Sequence, residues 1–110
     1  MTAQVDQPLG VIARYPLTGP LEGHELVLSR SAMRFFAGAS TPVHQHPGVV
    51  LAYVLQGRVR FAINNDAEQV IPVGGTFFEP LGAVHTTSGS ASADETTRIL
   101  VFEVRPREQK

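Results

Sequence analysis

Three histidines in two short segments have the type and spacing to do chemistry. His44 and His46 are separated by one residue in "PVHQH", and His85 lies in "EPLGAVHTTSG". Side chains two positions apart on a strand point to the same face, so His44 and His46 converge if their segment is extended. Pro42 and Pro47 both favour extended neighbours. Two such imidazoles can take adjacent positions around a metal ion, although an isolated pair more often has a structural role.

The composition limits what a site here can contain and bind. The chain of 110 residues has no cysteine, so any metal must be held by nitrogen and oxygen atoms. Its net charge of -1, with acidic and basic residues interspersed, does not indicate nucleic-acid binding. The apolar runs are too short to cross a bilayer, and the first residues do not resemble a signal peptide. We therefore expect a cytoplasmic protein with no membrane or nucleic-acid partner.

The elements that would position the histidines are β-strands. Short runs of β-branched and aromatic residues alternate with glycine, proline, asparagine and aspartate, which predicts one all-β domain over residues 1–110. The segment "NNDAE" predicts a hairpin turn, because asparagine and aspartate tolerate the left-handed conformation. The predicted strands are Gly10–Tyr15, Glu25–Ser29, Met33–Phe36, Val43–His46, Val49–Gln56, Arg58–Ile63, Glu68–Pro72, Thr76–Glu79, Val84–Ser88 and Arg98–Arg105.

Glycines and prolines around the histidines form two longer patterns. The chain reads G-x5-H-x-H-x3-V-x6-G over 38–57 and G-x5-P-x-G-x2-H-x3-G over 74–89. These patterns resemble the two motifs of the cupin family, G-x5-H-x-H-x3-4-E-x6-G and G-x5-P-x-G-x2-H-x3-N. The resemblance implies a double-stranded β-helix, a jelly-roll barrel in which the motifs form facing hairpins. It also implies a divalent metal held between the hairpins by His44, His46 and His85.

Two positions depart from the family motifs. Val50 stands where the first motif has its glutamate ligand, and Gly89 stands where the second has asparagine. Because valine cannot coordinate a cation, the motif positions supply at most three imidazoles. The resemblance then implies a site of the three-histidine kind, and Val50→Glu is expected to add a fourth ligand.

A metal ion bound by three neutral imidazoles keeps its full positive charge. Its open coordination positions could accept a small anionic or chelating organic molecule. Three facial protein ligands suit Fe(II) and oxygen activation, and some cupin dioxygenases have three-histidine sites, so the leading hypothesis is an Fe(II) dioxygenase. Zinc, nickel, manganese or copper could also bind. A non-oxidative metal-dependent isomerase or lyase, and a non-catalytic small-ligand-binding protein, remain open alternatives.

Glu79 is the candidate that could replace the missing acid. It could coordinate the metal, orient His85 or act as a base, although an exposed carboxylate at a strand end is the slightly preferred interpretation. It shares strand parity with Phe77, so Glu79 would also face the core if Phe77 does. Val50, Ala52, Val54, Phe77 and Phe78 are expected to form an apolar pocket wall. The family resemblance also implies a homodimer. Its surface could be supplied by Leu26, Leu28, Met33, Phe35 and Phe36, although core packing explains these residues equally well.

Replacing any one motif histidine tests this set of ligands. His44→Ala, His46→Ala and His85→Ala should each lose the metal with little loss of fold, because each removes a ligand and no packed apolar group. Elemental analysis and thermal unfolding measure the two effects. Stoichiometric metal in all three variants would contradict the proposed ligands.

Overall fold

A computed structural model describes residues 9–33, 44–64, 66–91 and 96–107, without the side chains of Met33, His44, Gln45 and 85–88. A single turn of 3-10 helix at Gly19–Leu21 joins the first two strands, and none of the described helical residues forms a segment able to cross a membrane. The described strands are β1 (Gly10–Pro16), β2 (His24–Met33), β3 (His44–Gln45), β4 (Val49–Gln56), β5 (Val59–Ile63), β6 (Gln69–Ile71), β7 (Thr76–Glu79), β8 (Val84–Ser90) and β9 (Thr97–Pro106).

The strands form two antiparallel sheets. The five-stranded sheet has the order β1-β2-β9-β4-β7, and the four-stranded sheet has the order β3-β8-β5-β6. The predicted bounds of β4 and β7 are confirmed, and the all-β class is confirmed for the described residues. The strand predicted at Met33–Phe36 differs, because Met33 ends β2 and residues 34–36 lie outside the described part.

The hydrophobic core lies between the two sheets. Ala52, Val54 and Ile99 from the five-stranded sheet pack in one buried cluster with Val59 and Phe61 from the four-stranded sheet. Phe77 on β7 joins this cluster, and its ring centroid lies 4.4 Å from that of Phe61. Contacts of this kind hold the sheets face to face, as a jelly roll requires.

Two turns, the first of them predicted from the sequence, adopt the backbone that their residues favour. Asn64, which follows β5, has φ 54°, and Gly57, between β4 and β5, has φ 76°. Gly57 also approaches Thr97 so closely that a Cβ atom would lie 2.9 Å from the Thr97 Cα atom. Both the positive φ and the close approach explain why glycine occupies this turn.

The inward face of the five-stranded sheet changes from apolar to acidic along its strands. Val50 on β4 is paired with Glu103 on β9 and with Glu79 on β7. Directly opposed residues share a face of an antiparallel sheet. All three are buried, with 2% of Val50, 3% of Glu79 and 8% of Glu103 exposed. Val50 therefore separates two buried carboxylates, one on each neighbouring strand.

The pairing of Val50 with two glutamates predicts how a carboxylate at this position would affect stability. In the metal-free protein, Val50→Glu should lower the free energy of unfolding by about 2 kcal/mol or more relative to Val50→Gln, because it buries a third negative charge between two others. Urea unfolding with a chelator present measures the difference. The glutamine variant is the matched control for size and polarity. A divalent cation should reduce the difference in the free energy of unfolding between the two variants. Equal stability of the two metal-free variants would contradict the register.

Candidate metal centre

His46 lies against the acidic end of the five-stranded sheet. It follows β3 and precedes a bend at Pro47 and Gly48, and 32% of its side chain is exposed. Its Nε2 atom is 3.8 Å from Glu79 Oε1, and its Nδ1 atom is 3.8 Å from Glu103 Oε2. One imidazole therefore faces two buried carboxylates with its two nitrogen atoms.

The bend after His46 brings β4 against β9. Gly48 is buried, and a Cβ atom at this position would overlap the carbonyl oxygen of Val104. The absence of a side chain thus permits the close backbone approach that starts the pairing of Val49 with Val104. The next pair in that ladder is Val50 with Glu103, so the close approach at Gly48 helps to place Glu103 beside His46.

His44 and His85 are brought together by the backbone of the other sheet. They are directly paired in the antiparallel ladder between β3 and β8. Their side chains lie outside the described atoms, so the predicted ligand set of His44, His46 and His85 stays a prediction. Among the side chains that are described, no group of three or more histidine and acidic residues is arranged to hold a metal. A complete site therefore depends on His44, His85 or both.

A turn in the second motif connects Glu79 to His85 across the two sheets. The Ala83 amide donates to the Pro80 carbonyl at 3.1 Å, and Gly82 has φ 84°. This geometry is that of a type II turn, which needs positive φ at its third residue. The proline and glycine of the motif thus carry the chain from β7 in the five-stranded sheet to β8 in the four-stranded sheet.

Asn64 holds the first residue of β8 in place through two hydrogen bonds. Its backbone amide donates to the Val84 carbonyl at 2.7 Å, and its Oδ1 atom accepts from the Val84 amide at 3.1 Å. The left-handed turn at Asn64 therefore holds the residue immediately before His85. The sequence predicts a hairpin turn in this segment, and the structure shows that Asn64 in this turn also positions β8.

Glu79 is not an exposed carboxylate, so the preferred sequence interpretation is wrong. Its parity with Phe77 places both residues on the inward face, and both are buried. The same alternation makes Phe78 52% exposed, which removes it from the predicted pocket wall. The other expected wall residues are buried on the inward face, and Ala52, Val54 and Phe77 among them pack in the core cluster, so the pocket wall stays a prediction.

The sequence analysis missed three charged residues near this site. Glu103 and Arg105 lie on β9, and Glu25 lies on β2. Arg105 Nε donates to Glu25 Oε2 at 3.2 Å, and Arg105 Nη1 donates to Glu103 Oε1 at 3.4 Å. The parity of Glu25 with Val27 and of Glu103 with Val101 was the available signal, since apolar neighbours two positions away indicate an inward face.

These donor types fit a divalent metal. Imidazole and carboxylate groups are ligands for iron, zinc and other first-row ions. Two donor atoms bound to one such ion at about 2.0–2.2 Å lie at most about 4.4 Å apart. The 3.8 Å between His46 Nε2 and Glu79 Oε1 is within that range. The residues present are therefore compatible with a shared cation.

Comparisons with known proteins bear on this arrangement. The sequence profile of the cupin domain matches residues 32–103, which is more than half of the chain. No curated protein matches the sequence.

Solved structures share the fold. TT1209 from Thermus thermophilus is 25% identical with a TM-score of 0.60, covering 90% of this chain and 86% of TT1209. DMSP lyase DddQ from Ruegeria pomeroyi is 21% identical with a TM-score of 0.58, covering all of this chain and 53% of DddQ. Fe(II) HppE in complex with substrate is 14% identical with a TM-score of 0.55, covering 74% of this chain and 45% of HppE. The last two similarities show a shared fold alone. With the profile match over both histidine motifs, the chain belongs to the cupin family.

Proposed function

We propose that this cupin binds one divalent metal ion, with Fe(II) favoured, and oxidises a small organic molecule as a dioxygenase. The observation that carries the proposal is the position of His46 against Glu79, together with the direct backbone pairing of His44 with His85 in the other sheet. The proposed ligands are these three histidines and Glu79. Directly opposed residues of an antiparallel pair have Cβ atoms about 4.5–5.5 Å apart on one face, a spacing suited to two ligands of one ion.

The carboxylate changes the chemistry expected from three histidines alone. Histidines combined with a carboxylate, with positions left open for substrate and oxygen, are typical of non-haem Fe(II) oxygenases. When bound, the metal would activate oxygen and polarise a substrate donor atom. Glu79 would offset part of its charge, so the substrate need not be strongly anionic. We therefore propose a small chelating molecule, such as a diketone, a thiol or a hydroxylated aromatic acid.

The remaining inward residues suit a small organic substrate. Val50 is buried beside Glu79, and Ala52, Val54 and Phe77 continue the same face into the packed core. An apolar wall with a few convergent polar groups is the usual form of a small-molecule site. These side chains would exclude water, while Glu79 and the histidines would orient the polar end of the molecule.

A second candidate is a non-oxidative metal-dependent lyase or isomerase. Such an enzyme needs a base beside the substrate, and the burial of Glu79 next to His46 favours this alternative. In this case Glu79 would accept a proton from the substrate carbon and return it to the product or to solvent. The fold shared with a DMSP lyase is consistent with this chemistry. The cytoplasmic location, the homodimer and the small-molecule partner remain predictions.

Oxygen uptake separates these functions. Protein loaded anaerobically with Fe(II) should consume oxygen only when a diketone, thiol or aromatic acid substrate is added, and the product should contain that oxygen. His46→Ala should abolish uptake, and Glu79→Gln should lower it. An exposed carboxylate, Glu68→Gln, is the control and should behave as wild type.

Two other results would reject the dioxygenase. Substrate turnover without oxygen, reduced about 100-fold or more in Glu79→Gln, would identify the lyase or isomerase. Ligand binding with no turnover under either condition would identify a non-catalytic binding protein.

A further inference from the structure

A line of charged side chains leads away from His46 toward the edge of the five-stranded sheet. His46 Nδ1 faces Glu103 Oε2 at 3.8 Å, and the other Glu103 oxygen accepts from Arg105 at 3.4 Å. Arg105 in turn donates to Glu25 at 3.2 Å. Arg14 stands 3.6 Å from the same Glu25 oxygen at the outer end. None of the four charged residues beyond His46 belongs to either histidine motif.

The sheet register builds this line into the fold. Glu25 on β2 is paired directly with Arg105 on β9, and Glu103 lies two residues before Arg105 on the same face. The carboxylate side chains are 9% and 10% exposed, and that of Arg105 is 26% exposed. Buried carboxylates without counter-charges are costly, so Arg105 holds both acids in place.

One oxygen of this line has no hydrogen bond within the described part of the chain. Glu103 Oε2 is buried, and the atom it faces is His46 Nδ1. At 3.8 Å this contact is longer than a hydrogen bond. A histidine that binds a metal through one nitrogen commonly donates its other N–H to a carboxylate, which fixes both tautomer and ring orientation. Glu103 Oε2 stands where that acceptor is needed.

We propose that Glu103, held by Arg105 and Glu25, is a positioning residue. Its carboxylate accepts a hydrogen bond from the Nδ1–H group of His46 and so directs Nε2 toward Glu79 and the metal. The inference rests on the proposed function in taking His46 as a ligand. It also gives the two carboxylates beside Val50 different roles. Glu103 is engaged by the Arg105 guanidinium, so it orients the imidazole, whereas Glu79 faces the nitrogen that binds the ion.

The test is titration of the metal-free protein with Co(II), followed by visible absorption and by the dissociation constant. Glu103→Met should weaken Co(II) binding about 10–100-fold and alter the Co(II) absorption bands, because His46 loses its acceptor. Glu103→Gln should lie between Glu103→Met and wild type, because its amide oxygen can still accept the Nδ1 proton. Arg105→Met should change both readouts in the same direction by a smaller amount. Glu68→Gln is the exposed control and should match wild type.

Circular dichroism and thermal unfolding identify variants that fold. Glu103→Gln preserves the size of the side chain, so it keeps the test valid if Glu103→Met fails to fold. Folded Glu103 variants with the wild-type dissociation constant and absorption bands would overturn the positioning role while leaving the metal site intact. Failure of the wild-type protein itself to bind Co(II) would instead reject the proposed function, and the positioning role with it.

Discussion

The burial of carboxylates at one end of the five-stranded sheet is the constraint on which the rest of this site depends. Glu25, Glu79 and Glu103 are all buried, with at most 8% of the whole residue exposed in each. A carboxylate removed from water is strongly unfavourable unless charged or hydrogen-bonding partners compensate it. Arg105 provides such compensation for two of the three, and His46 lies beside the third. An apolar barrel end would avoid this cost, and binding of a cation in the proposed site would offset it.

The arrangement also changes the meaning of valine at the motif glutamate position. Val50 lies between Glu79 and Glu103 in register, so each neighbouring strand places a buried carboxylate beside it. In the proposed site, Glu79 on β7 supplies the acid that the family motif places on β4. An ion here would have less uncompensated charge than one held by three neutral imidazoles, which favours chelating substrates over strongly anionic ones.

Strand positions could be predicted from the sequence because alternation and turn residues are local signals. The parity of Glu79 with Phe77 correctly indicated an inward carboxylate, and the same parity should have excluded Phe78 from the pocket. Glu103 was missed because it lies in the long, mainly apolar segment of β9, outside both motifs. Its approach to His46 depends on which strands pair and in what register, and that non-local information cannot be obtained from one sequence. The line from Glu103 to Glu25 has the same origin, since it joins residues 78 positions apart in the chain.

The most direct test of the metal site is X-ray diffraction at the iron absorption edge from crystals of protein loaded anaerobically with Fe(II). We predict one anomalous peak per chain, within about 2.2 Å of His46 Nε2 and of a Glu79 oxygen, with His44 and His85 completing the ligand set. No peak at saturating iron, or a peak away from His46, would rule out this metal site.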